Sequence, residues 1–351
     1  MTRMDSNSNN MNTNGVFSGR QQPQINELQE SQPQVGQSQT EQLQINQPQM
    51  CQPSPEVLTQ QSQAKKPGFA KKIFCGIVFS FIILGFFMGV QYALMYIVVI
   101  FMTISYALQA GMEADLDIIT EKVQNTVLES NFLTGMTAVL TAVSAVLAVL
   151  FYWLIWGRKK TTEDKKYFKE KVLKAKTFAM ISIASVGLYY LAAIIATVID
   201  LVSPQTMQEY SEMMDMALGG SIVFAMLAAV ILAPINEECI MRGLILKNLQ
   251  KYFSDTTVII IQAILFGIFH MNWVQGIYVL PVGAALGFVA VKSRSVIPCI
   301  YMHLFYNLMS FVLSCLPVFF QTGFFSVIAV VASAGIVWSM SKEEKLKAQC
   351  K

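Results

Sequence analysis

The residues of this chain whose types could support catalysis are two adjacent glutamates and two histidines, all inside apolar stretches. Of the 22 acidic residues, only Glu237 and Glu238 lie well within an apolar segment. The chain has two histidines, His270 and His303, and both lie in apolar segments as well. Burying a charged group in such surroundings costs about a few kcal/mol, so these residues usually have a function there. Carboxylate and imidazole groups together can transfer protons, bind a metal ion or activate water.

The local spacing separates two kinds of residue within this set. Glu238 and Arg242 are four positions apart, so on a helix they meet on one face and favour a supporting ion pair. Glu237 points about 100° away from Glu238 and has no such partner, which makes it the stronger candidate for chemistry. Asn307 follows His303 by one helical turn on the same face, where its amide could act together with the imidazole.

The elements that must position these residues are transmembrane helices. Hydrophobic residues make up 54% of the 351-residue chain and charged residues only 13%, and the mean hydropathy is +0.48. This composition predicts an all-α, polytopic membrane protein and disfavours a soluble enzyme, a nucleic-acid binder and a secreted disulfide scaffold. Residues 1–64 contain 16 Gln and 7 Asn and predict a disordered tail. The remaining residues, 65–351, form the predicted membrane domain.

Apolar runs separated by polar breaks predict about eight spans, with the chemistry in the later ones. The predicted spans are 73–109, 132–156, 177–199, 220–246, 256–273, 277–291, 296–315 and 322–340. With this count, 24 of the 25 basic residues fall on or near one side, and nine of them lie in the 157–176 connection. By the positive-inside rule we expect that side and both termini to be cytoplasmic, in a cell membrane.

Depth in the membrane is consistent with one shared site. At about 1.5 Å per helical residue, Glu237, His270 and His303 each fall about 13 to 22 Å from the cytoplasmic boundary. A single cavity open to the cytoplasm could therefore contain all three side chains. Pro234 and Gly267, each three residues before a candidate, could bend or thin their helices around that cavity.

The order of these residues resembles three motifs of a known family. Glu237-Glu238-x-x-x-Arg242, then Phe266-x-x-x-His270, then His303-x-x-x-Asn307 are similar to the motifs of the CAAX protease and bacteriocin-processing family. This family contains intramembrane proteases related to the type II CAAX prenyl endopeptidase. The resemblance covers about residues 177–316 and leaves the tail and the first two spans outside.

The resemblance implies an endopeptidase that cleaves a peptide or lipidated protein near the cytoplasmic membrane face. Its base would be Glu237 assisted by His270, its oxyanion would be stabilised by His303 and Asn307, and Glu238 with Arg242 would support the site. Cofactor use stays open between none and a divalent metal such as zinc. The candidate metal ligands are Glu237, His270 and His303.

Two other functional classes compete with a protease as interpretations of these residues. A non-proteolytic membrane regulator or immunity factor on the same fold is the main alternative, because a fold alone does not secure an activity. A transporter would predict mirrored motifs in the two halves of the membrane domain, and the sequence has none. The expected partners are a peptide or membrane-associated protein substrate and the lipid bilayer, with no nucleic acid.

Overall fold

The computed structural model describes residues 68–111, 115–317 and 323–349. Within these residues the chain is helical and contains no β-strand, which confirms the prediction of an all-α bundle. The predicted disordered tail, residues 1–64, lies outside the described residues, so that prediction and its boundary remain predictions.

Twelve helices account for the described part of the chain, and eight of them are apolar. The apolar helices are α1 (Phe69–Ala110), α3 (Ser130–Ile155), α5 (Ala175–Val202), α7 (Ile222–Leu249), α8 (Asp255–Phe269), α10 (Leu280–Ser293), α11 (Ile297–Ser314) and α12 (Gly323–Gln349). The other four are α2 (Leu116–Leu128), α4 (Thr162–Tyr167), α6 (Pro204–Leu218) and α9 (Trp273–Tyr278). Each predicted span corresponds to one apolar helix. By length and composition, α1, α3, α5 and α7 could cross a membrane, whereas the apolar parts of the other four are shorter.

The end of α8 differs from the predicted span 256–273 for a local reason. The helix stops at Phe269, and Met271 adopts a left-handed backbone with φ of 52°. Asn272 then accepts a hydrogen bond from the Gln275 backbone N–H and caps α9. A continuous apolar run in the sequence therefore contains a sharp turn.

Three segments that the sequence indicated only as polar connections are helices. Within 110–131 lies α2, within 157–176 lies α4, and within 200–219 lies α6. Local caps explain two of these helices. Asp115 accepts from the Asp117 backbone N–H at the start of α2, and Thr161 with Asp164 forms a capping box at the start of α4.

Helix α7, which carries both glutamates, is widened on each side of its centre. Leu227–Leu232 and Cys239–Leu246 adopt π-helical turns, with regular α-helix at Ala233–Glu238 between them. In the first π segment the Ala233 N–H donates to the Ala228 carbonyl. The next donor would be Pro234, which has no N–H, so the Ala229 carbonyl lacks a backbone partner. Such bulges occur frequently at functional sites.

The core lies where α7, α8, α10 and α11 meet. Its fully buried side chains include Ile240, Met241, Phe266, Leu286 and Cys299. Helix α8 packs along α10, and α11 packs against α5, which also contacts α12. A Cβ on Gly267 would lie 2.7 Å from the Gly276 carbonyl oxygen, so the missing side chain lets α8 and α9 approach closely.

Candidate active site

Helices α7 and α11 bring an ion pair and a histidine together at the centre of the bundle. Arg242 donates from Nη1 to Glu238 Oε1 at 2.7 Å, and His303 Nδ1 lies 2.8 Å from the same oxygen. All three side chains are almost completely buried. Because Glu238 Oε1 is an acceptor for both neighbours, His303 carries its proton on Nδ1 in this arrangement.

Arg242 is fixed by three further features of its surroundings. Its Nη2 donates to the Gly283 carbonyl at 3.1 Å, and its guanidinium carbon lies 4.6 Å from the centre of the Phe266 ring. Gln262 Nε2 donates to the same Gly283 carbonyl at 2.7 Å. This geometry accords with the supporting ion pair that the spacing of Glu238 and Arg242 predicts.

Glu237 lies on the other side of the His303 ring. Its Oε2 is 3.8 Å from His303 Nε2, longer than a hydrogen bond, and has no hydrogen-bond partner among the described residues. The Glu237 side chain is 14% exposed, whereas that of Glu238 is fully buried. The two adjacent glutamates therefore face the two nitrogens of one imidazole. Each has a buried Oε2 without a partner among the described residues, but only the Glu237 side chain is partly exposed.

His270 joins the group through the Phe266 ring. Its Nδ1 lies 2.8 Å from the Phe266 carbonyl oxygen, an acceptor, so the proton is on Nδ1 and Nε2 carries a lone pair when the ring is neutral. The Phe266 ring meets both imidazoles edge-on, with centroid distances of 4.7 Å to His270 and 5.8 Å to His303. Helix α8 ends at this point, which leaves His270 half-buried.

Asn307 has a partner that the sequence did not reveal. Its Nδ2 donates to the Ala229 carbonyl at 2.7 Å. This is the carbonyl that Pro234 leaves without a backbone donor, so the amide of α11 completes the first π segment of α7. Asn307 has a second amide N–H, which this bond does not use.

The predicted residues divide into those in direct contact and those held nearby. Glu238, Arg242 and His303 form one hydrogen-bonded set, with Glu237 beside it and His270 linked through Phe266. Two contributors were missed by the sequence reasoning, Gln262 and the Gly283 carbonyl. Gln262 could have been noticed as a polar residue inside an apolar run, but a backbone carbonyl has no sequence signal.

The side chains named as candidate metal ligands are not gathered into a ligand shell. Across residues 68–111, 115–317 and 323–349, no three His, Cys, Asp or Glu side chains are grouped so as to hold a metal ion. Both histidines nevertheless donate Nδ1–H to a carbonyl or carboxylate, as metal-bound histidines usually do. The donor atoms suit a metal, but their present positions do not form a ligand shell for one.

A comparison with protein-family models gives a match over the same helices. Residues 219–309 match the family described as type II CAAX prenyl endopeptidase Rce1-like. The match confirms the resemblance of this segment to the CAAX protease family. The match contains all seven motif residues and extends from the start of α7 into α11. No curated protein and no solved structure matches the chain.

The match and the apolar helices together indicate the general character of the protein. It is an integral membrane protein, and its residues 219–309 are similar to CAAX-type intramembrane endopeptidases. The match begins at 219, so α1 to α6 lie outside it.

Proposed function

We propose that this chain is an intramembrane endopeptidase in which Glu237 activates water to cleave a peptide bond near the cytoplasmic membrane face. The observation that carries the proposal is the partner-free, buried Oε2 of Glu237, 3.8 Å from His303 Nε2. A carboxylate oxygen without a hydrogen-bond partner is free to accept a proton from water. Glu238 also has a partner-free Oε2, but its Oε1 binds Arg242 and His303 and its side chain is fully buried, so the partly exposed Glu237 is better placed to meet water.

The two histidines have different roles in this mechanism because their Nδ1 partners differ. His270 keeps an unprotonated Nε2, which can accept a hydrogen bond from the attacking water and orient it towards Glu237. His303 has a carboxylate facing each ring nitrogen, and the proposed mechanism uses its doubly protonated form, in which both nitrogens are donors. In that form its Nε2–H donates to the negative oxygen of the tetrahedral intermediate, while Nδ1–H stays on Glu238.

Asn307 contributes through the amide hydrogen that Ala229 does not occupy. The bond to Ala229 holds the amide in one orientation, so the second N–H has a fixed direction. A fixed donor is what stabilises an oxyanion without reorganisation during the reaction. Proton transfer from Glu237 to the leaving amine then completes the hydrolysis.

The competing mechanism uses a metal held by Glu237, His270 and His303. Under it, Glu237 would be a ligand and could not also be the free base. The test is cleavage by purified protein that elemental analysis shows to be free of metal. Retained cleavage is expected under direct water activation, whereas loss of activity that stoichiometric zinc restores would reject it.

The proteolytic function is tested by comparing membrane-associated peptides from cells that carry wild-type protein with those from cells that carry Glu237→Gln. We expect specific fragments to disappear and their full-length precursors to accumulate in the variant. Glu170→Gln is the matched control, because it makes the same change at an exposed position in the 157–176 connection.

The same pair of variants tests the non-proteolytic alternative. A regulator or immunity factor would act by binding, and neutralising Glu237 would leave its partner and its cellular effect intact. If Glu237→Gln cells keep the wild-type phenotype and the wild-type peptide profile at equal protein levels, the protease proposal is wrong.

A further inference from the structure

A cavity lies next to Arg242, between the ends of α3, α7 and α10. Its volume is about 230 Å³, and its wall includes Trp156, Arg242, Lys247, Arg294 and Ser295. Arg242, Leu246 and Lys247 of α7 line it together with Gln250, which follows the helix, and these residues run from the buried ion pair outwards to the exposed helix end. Neither glutamate and neither histidine of the candidate active site lines this cavity.

The charge around this cavity is strongly positive and largely unneutralised. Among the described residues, neither Lys247 nor Arg294 has a carboxylate within ion-pair distance. The ammonium groups of Lys247, Lys251 and Lys159 lie 5.8, 4.7 and 6.0 Å from the Trp156 ring centre, so three cations surround one aromatic wall. Like charges near one another repel, and an anion close to them would relieve that repulsion.

One carboxylate near the cavity is engaged elsewhere. Asp164 accepts hydrogen bonds from the Thr161 side chain and backbone, at 2.9 and 3.1 Å, as part of the cap of α4. These bonds hold the pKa of Asp164 below its ordinary value, and the charges of Arg294 and Lys247 lower it further. The positive charges of Arg294 and Lys247 therefore act on Asp164, but Asp164 forms no ion pair with either residue.

Two other features of the wall favour an anion. Helix α11 begins beside the cavity, where the Ile297 N–H donates to Ser295 Oγ, and a helix N-terminus carries partial positive charge. At the inner end, the Arg242 side chain is only 1% exposed. Its Nε is buried and has no hydrogen-bond partner among the described residues. The cavity is thus lined by donors at both ends.

We propose that this cavity binds the phosphate group of an acidic phospholipid headgroup. The occupant is inferred from the position of the cavity, which opens on the face that carries the basic 157–176 connection, with lysines and a tryptophan at the helix ends. This combination is typical of a membrane–water interface, and basic pockets between helices on the cytoplasmic side suit acidic headgroups. Because Arg242 belongs both to this cavity and to the Glu238–His303 set, a bound headgroup stabilises the support of the candidate active site.

The binding test uses purified full-length protein in neutral detergent and measures retention of added lipid by native mass spectrometry. Phosphatidylglycerol, phosphatidylcholine and inorganic phosphate are the three probes. We expect phosphatidylglycerol to bind most tightly, and Lys247→Gln combined with Arg294→Asn to weaken its binding by about tenfold or more. Asn is chosen because Arg294 has a φ of 53° and Asn tolerates that left-handed conformation.

Two matched variants keep the result interpretable. Lys165→Gln combined with Lys169→Gln removes the same charge from exposed positions that do not line the cavity. Lys247→Arg combined with Arg294→Lys keeps the charge of the cavity and should keep lipid binding. The proposal is overturned if the cavity and control variants lose phosphatidylglycerol equally. It is also overturned if inorganic phosphate or phosphatidylcholine binds as tightly as phosphatidylglycerol.

Discussion

Arg242 and Glu237 lie on the same helix, but they should respond to substitution in opposite ways. Removing Arg242 leaves the fully buried Glu238 without its ion-pair partner, and an uncompensated buried charge costs about 3 to 5 kcal/mol. We therefore expect Arg242→Ala to lower the thermal unfolding temperature of the purified protein markedly. Arg158→Ala, at an exposed position, should leave it unchanged.

Glu237→Gln should keep full thermal stability and abolish peptide cleavage, because the carboxylate Oε2 of Glu237 has no partner to lose. Unfolding temperature and cleavage rate are measured on the same preparation. If Arg242→Ala were as stable as Glu237→Gln and equally inactive, Arg242 would have to be assigned to the chemistry instead of the support.

At the scale of elements, the bond between α11 and the π segment of α7 gives Asn307 two separable effects. Asn307→Ala should slow cleavage by about a hundredfold or more with little change in KM, as for the loss of one oxyanion donor. It should also cost about 1 to 3 kcal/mol of stability, because the Ala229 carbonyl then lacks a partner.

The Pro234→Ala background separates these two effects. An N–H at position 234 could satisfy Ala229, so the stability cost of Asn307→Ala should shrink there while the loss of cleavage remains. A double-mutant cycle on unfolding free energy and on kcat measures both. If Asn307→Ala in the Pro234→Ala background regained both stability and cleavage, Asn307 would act only as a structural support.

The close approach of α8 and α9 makes Gly267 sensitive to a single methyl group. In Gly267→Ala the Cβ would meet the Gly276 carbonyl oxygen at 2.7 Å, so the helix ends must separate and move His270. We expect a loss of about 1 to 3 kcal/mol and slower cleavage. Gly89→Ala in α1 is the control, since no atom lies within 4 Å of its added Cβ, and it should be neutral or slightly stabilising.

The sequence predicted the apolar helices because each is a long run bounded by polar residues, and it predicted Glu238 with Arg242 because four positions make one helical turn. It did not predict the bonds of His303 to Glu238 and of Asn307 to Ala229, which join residues 65 and 78 positions apart. Such contacts depend on how helices pack, and no local periodicity encodes them. The break after His270 was missed because Met271 is an unusual residue for a left-handed backbone.

For the whole molecule, the distribution of basic residues predicts which loops face the cytoplasm. In a cysteine-free background, an impermeant thiol reagent added to intact cells should label Asp117→Cys and leave Lys165→Cys unlabelled. Both positions are exposed in the structure, so access from the correct side is the only requirement. Labelling of Lys165→Cys alone would reverse the orientation and move the proposed site to the outer face.

The short apolar helices around the candidate active site also affect the surrounding bilayer. At about 1.5 Å per residue, the 15 residues of α8 extend about 22 Å, against a hydrocarbon thickness of about 30 Å. This hydrophobic mismatch should draw the lipid leaflet inwards beside α8 and α10, and bring water and headgroups closer to His270. In reconstituted bilayers, cleavage should then be faster with fourteen-carbon than with eighteen-carbon acyl chains. The bilayer itself would thus shorten the path along which a polar peptide backbone reaches Glu237.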